Sequence, residues 1–167
     1  MKRTITYQVS FFTLLMALVC AVGTVWAQMP HFVGKVTATL LSNNSVQVCW
    51  KEAGLGNNQN IDYTASADAT ATFVCVNNGG QCPNAANKTT VSGPVSATGT
   101  FNSGQNGQIT QCLTISPPGP GSFRCPSGQK VTLSQVSYSN IKIRDDTNMI
   151  QQTATPSTLS ATPFTCP

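Results

Sequence analysis

Seven cysteines occur in the chain, and six of them (Cys49, Cys75, Cys82, Cys112, Cys125 and Cys166) lie past residue 27. An even set of cysteines in a short chain means cross-links or a metal, and either one restricts the fold before any strand is placed. Zinc needs closely spaced ligands such as a C-x-x-C pair. None occurs, and the single histidine, His31, is remote from the cysteines in sequence. Three disulfides are therefore expected, and with them an oxidising compartment.

The N-terminus agrees with export. Lys2 and Arg3 precede the apolar run Phe11–Val22 (FFTLLMALVCAV), and Val25-Trp26-Ala27 supplies the −3 and −1 residues of a signal-peptidase site. This almost wholly apolar run of twelve residues is too short to cross a hydrocarbon core of roughly 30 Å comfortably. Residues 1–27 are read as a signal peptide and 28–167 as a single domain with no membrane span after cleavage. Ala17-Leu18-Val19-Cys20 has a lipobox look, but Val19 is bulkier than the residue usual before a lipidated cysteine, so cleavage is preferred.

Past residue 27 stand seven basic residues (Lys35, Lys51, Lys88, Arg124, Lys130, Lys142, Arg144) and five acids (Glu52, Asp62, Asp68, Asp145, Asp146), a net charge of 7 − 5 = +2. They are scattered. Nucleic acid demands several cations on one face, so it is not an expected partner. Ser, Thr, Asn and Gln make up 56 of those 140 residues, which suits exposed β-sheet surfaces and turns.

Strand periodicity runs through the chain. His31–Leu41 is apolar and β-branched, and Ser45–Lys51 puts Val46, Val48 and Trp50 on one face and Gln47, Cys49 and Lys51 on the other. After the turn-rich Glu52–Asn60, strands are expected at Ile61–Ala67 and Thr70–Val76. Another covers Val91–Phe101, interrupted by Gly93-Pro94. Asn102–Gly107 (NSGQNG) is expected to be a hairpin turn into Gln108–Ile115. Ser116–Gly121 (SPPGPG) is too proline-rich for a central strand. Lys130–Arg144 forms one long or bent strand, and the tail adds at most an edge strand. No apolar stripe with helical spacing appears. The expected fold is an all-β, immunoglobulin-like antiparallel sandwich of about seven to eight strands, disulfide-linked.

The cysteines divide by setting. Cys49, Cys75 and Cys112 sit within strands, whereas Cys82, Cys125 and Cys166 are each followed by proline, which places them at turns or ends. Pairing each strand cysteine with a Cys-Pro cysteine reduces fifteen connectivities to six. Two strand cysteines joined across the sheets would break that scheme. A local alternative pairs Cys75 with Cys82 and Cys112 with Cys125. The segments KEAGLGNNQNIDY (51–63), FVCVNNGGQCP (73–83), SGPVSATGTFNSGQNGQIT (92–110) and PPGPGSFRCPSGQ (117–129) resemble those of small secreted bacterial β-sandwich proteins of unassigned function. The resemblance covers roughly Val46–Asp146 and implies a Cys75–Cys125 pair. The other four cysteines depart from that pattern, so their pairing stays open.

Candidate chemistry is sparse. His31 lies near the start of the mature chain, and no G-x-S-x-G motif accompanies it. The five carboxylates are expected as solvated turn residues. Asp145-Asp146-Thr147-Asn148 lacks the EF-hand pattern and is expected to be a turn. Neither a cofactor nor a metal is expected. Trp50, on the strand face it shares with Val46 and Val48, belongs in the core. Binding is expected at a rim formed by Asn77, Asn78 and Gln81 with Pro117, Pro118, Phe123 and Arg124, because sandwich loops carry recognition. The expected function is a non-catalytic structural or adhesion-like module of the cell envelope or extracellular space. Its partner would be a protein or glycan at the cell surface. The alternatives are a hydrolase inhibitor presenting residues 116–124, or a small carboxylate-dependent hydrolase.

Overall fold

The computed structural model describes residues 29–83 and 87–167. The segment read as a signal peptide, with Cys20, lies outside them. No helix among the described residues is long and apolar enough to cross a membrane. Among the described residues nine strands follow in order: β1 (His31–Phe32), β2 (Thr37–Leu40), β3 (Val46–Ala53), β4 (Asn60–Asn77), β5 (Lys88–Asn102), β6 (Gln108–Ile115), β7 (Gln129–Asp145), β8 (Ile150–Thr153) and β9 (Leu159–Ala161).

All the strand pairings are antiparallel, and they build two sheets. In the four-stranded sheet β3 is central, with β6 along its whole length on one side and β1 and β2 on the other. The five-stranded sheet runs β5-β4-β7, and β7 carries β8 and β9 on its outer edge. Alternation explains which faces meet. On β3 the residues Val46, Val48 and Trp50 point inward, and on β4 every odd position from Ile61 to Cys75 is buried. The two inner faces close one core, so the molecule is a β-sandwich.

Several elements depart from expectation. The two strands expected at Ile61–Ala67 and Thr70–Val76 are one, because the small Ala67 and Ala69 keep the period of two through the join. Gly93-Pro94 does not interrupt β5. That strand pairs with β4 alone, and proline is tolerated on an edge strand whose N–H need not face a neighbour. Asn102–Gly107 is not a hairpin but a corner, since β5 and β6 belong to different sheets. The corner is zipped to the loop after β3: Asn58 N donates to Gly104 O at 2.7 Å and Leu55 N to Gly107 O at 3.1 Å. Buried Ser103 completes it, with Oγ donating to Gly56 O at 2.7 Å and accepting from Gln59 N at 2.9 Å.

Strand β7 bends as its apolar spacing requires. The register skips one residue at Ser134, and Asn140 and Ile141 together face Ala67 of β4. Each bulge shifts the inward parity, from Val131 and Leu133 to Val136 and Tyr138, then to Ile141, Ile143 and Asp145. Asn140 takes a left-handed φ of 54° at the second bulge.

The bridges are Cys49–Cys112, Cys75–Cys125 and Cys82–Cys166. Cys75–Cys125 is the pair that the resemblance implied. The general scheme of one strand cysteine to one Cys-Pro cysteine is corrected. Cys49 and Cys112 stand directly opposite each other on neighbouring strands of a single sheet, 4.1 Å apart at Cα, so their register joins them. Cys82 and Cys166, both followed by proline, are left for each other.

Candidate functional site

The rim expected from the sequence is physically joined. Cys75–Cys125 links the end of β4 to the loop before β7, with 5.5 Å between the Cα atoms. Its side chains are disposed unevenly. Asn77 Oδ1 accepts from Gly79 N and Gln81 N at 3.0 and 2.9 Å, so this amide builds its own turn. Arg124 donates through one guanidinium nitrogen to Gly121 O and Phe123 O at 2.9 and 2.8 Å, bracing its loop. Phe123 is half-buried and packs against the core. Pro117 and Pro118 are half-buried, and Asn78 and Gln81 remain exposed.

The acidic residues hold the larger surprise. Glu52 and Asp145 are fully buried, which corrects the expectation of solvated turn carboxylates for these two. Each lies one residue beyond a strand end read from the sequence, at Lys51 and Arg144. Continuing the alternation Val46, Val48, Trp50 leads directly to Glu52, and Ile141, Ile143 leads to Asp145. The signal was the period of two, carried one step further into polar residues.

Around them stands an aromatic cluster. Trp50 and Tyr63 have ring centroids 4.7 Å apart, and Phe101 lies 5.8 Å from Trp50 and 6.0 Å from Tyr63. Trp50 is thus a core residue, as expected. Both Glu52 oxygens, the Tyr63 hydroxyl and Trp50 Nε1 are buried without a hydrogen-bond partner. Asp145 is held by the following turn, its two oxygens accepting from Asn148 N at 2.8 Å and Asn148 Nδ2 at 2.6 Å. Burial pushes the Glu52 carboxyl up to about 8; the Tyr63 hydroxyl opposes this and the Asp145 carboxyl adds to it. Removal from water, then the neighbouring Glu52, holds the Tyr63 hydroxyl far above its ordinary range. At neutral pH the node therefore contains Glu52 as an uncharged acid, because removal from water disfavours its charged form.

The remaining acids serve surface structure. Asp146 accepts from Thr64 Oγ1 at 2.6 Å and pairs with Arg144 at 3.0 Å. Asp62 accepts from Thr100 Oγ1, and Asp68 from Asn140 Nδ2 at 2.6 Å. Residues 145–148 thus form a hydrogen-bonded turn. Among the described residues no group of three His, Cys, Asp or Glu side chains is placed to hold a metal. His31 is exposed on β1, its Nδ1 2.9 Å from Met29 O.

Fold and site together define a two-sheet, three-disulfide β-sandwich with a buried carboxyl pair at one place in its core. Compared with known proteins, the chain matches no family model and no curated sequence.

Proposed function

We propose that the chain is exported and serves as a non-catalytic, immunoglobulin-like structural or binding module of the cell envelope or extracellular space. The observation that carries this is the Cys75–Cys125 bridge, which fastens two irregular loops into one braced rim. Such loops on a rigid scaffold are where recognition resides. Three disulfides suit an oxidising compartment. The two acids closest to acid–base chemistry, Glu52 and Asp145, are sealed from any substrate, which favours binding over turnover. A hydrolase inhibitor presenting residues 116–124 ranks second. The bridge stiffens that loop, but Phe123 packs inward and Arg124 is committed to its own backbone.

Labelled mature domain is expected to coat cells or matrix and to lose that property on reduction. A combined Asn78→Ala, Gln81→Ala and Pro118→Ala variant should keep its β-sheet circular dichroism and bind at least tenfold less. Turnover on a glycan or peptide panel, abolished by one carboxylate-to-amide change, would replace this proposal with a hydrolase.

A further inference from the structure

On the outer face of the five-stranded sheet a groove of about 490 Å³ crosses four strands, from Pro94 on β5 over Ser66 and Asp68 on β4 to Asn140 and Lys142 on β7 and Thr153 on β8. That volume lies in the range of small-ligand sites. Its origin is local: at the second β7 bulge two residues face Ala67, and Asn140 sits left-handed. Bulges recur where a sheet re-aims side chains toward a ligand.

The lining chemistry selects the ligand. Asn140 Nδ2 donates to Asp68 Oδ2 at 2.6 Å, which orients the carboxylate and leaves Oδ1 open to a donor. Lys142 lines the same groove with the opposite charge. Among the described residues the ion pair is Arg144–Asp146, so neither Asp68 nor Lys142 neutralises the other. Hydroxyl and amide groups supply the rest. A ligand facing donors and acceptors side by side, in a groove with one charge of each sign, is well matched by groups that both donate and accept. Hydroxyls do so, and Pro94 offers an apolar ring to a C–H face. We propose that this groove binds a neutral, hydroxyl-rich saccharide chain, with Asp68 and Lys142 as its polar anchors. The inference rests on the binding-module function above and assigns it a second surface, separate from the rim.

The test is an array of immobilised neutral and sialylated glycans probed with labelled mature domain. Calorimetric titration of each retained oligosaccharide into wild type and variants follows. Intact disulfides and circular dichroism confirm the fold of every variant. The expected result is retention of a neutral oligosaccharide, bound at least tenfold more weakly by Asp68→Ala and by the groove-filling Thr153→Trp, and equally well by Lys51→Ala, an exposed position on β3 of the other sheet. Retention of sialylated glycans alone would overturn the inference, as would binding indifferent to the groove variants. A silent array from a domain that still coats cells would overturn the saccharide groove and leave the proposed function standing. A neutral glycan held in the groove and then cleaved would support the groove and overturn the non-catalytic function.

Discussion

Glu52 holds its place in the core at a cost to the fold. A carboxyl in the core is tolerable when it keeps its proton, and in the unfolded chain it ionises near its ordinary value of 4.5, whereas burial raises it to about 8. Between those values the native state holds a proton that the unfolded state has lost. Stability from this group is therefore complete below pH 4.5 and falls as pH rises through about 8. At about 1.4 kcal/mol for each unit of displacement, the loss amounts to several kcal/mol. Denaturant midpoints of wild type should decline from pH 5 to pH 9, while Glu52→Gln, which cannot ionise, should be flatter and overtake wild type at the alkaline end. Trp50 is the one tryptophan past residue 27 and packs tilted against Tyr63, so its fluorescence reports the node directly. Parallel pH profiles for the two proteins would remove Glu52 as the cause. Nothing in its residue type marked Glu52 for the core: glutamate is ordinarily exposed, and only strand phase told otherwise.

At the scale of elements, the strands were legible wherever apolar and polar residues alternate, and their breaks were not. Gly93-Pro94 looks like an end of a strand, yet β5 passes through it because the edge needs no N–H there. The 133-to-136 and 138-to-141 spacing of apolar residues on β7 already contained both bulges, since a step of three within a period of two requires one extra residue. NSGQNG had hairpin chemistry, but a turn's residues state that the chain reverses, not which sheet receives it. The corner depends on Gly107, whose φ is 62° and whose added Cβ would lie 3.2 Å from Gly56 N and O. Those contacts are backbone, which cannot swing aside. Gly107→Ala should lose about 2 kcal/mol in urea denaturation, the sum of a left-handed φ and this approach; an unchanged midpoint would show that the two loops separate freely.

For the whole molecule, the three bridges are not equivalent. Cys75 is buried at the end of β4 and bonds to the rim loop, so replacing Cys75 and Cys125 by alanine should cost about 2–5 kcal/mol. Cys82 and Cys166 lie outside the strands. Cutting that bridge relaxes the unfolded chain but also frees the native tail, and the two gains in entropy partly offset. The Cys82→Ala, Cys166→Ala protein should lose markedly less in the same urea experiment; equal losses would mean that the tail is held by its own packing. Composition and alternation were enough to determine an all-β, cross-linked sandwich, because burying one face of each strand is a local property repeated along the chain. Pairing was not local. Cys49 meets Cys112 only because β3 and β6 share a register, and Cys75 meets Cys125 across 50 residues. Glu52 and Asp145, 93 positions apart by number, become one buried node only when two sheets close on each other. Side-chain phase is written residue by residue, whereas which phases face one another is decided by the packing of the sheets.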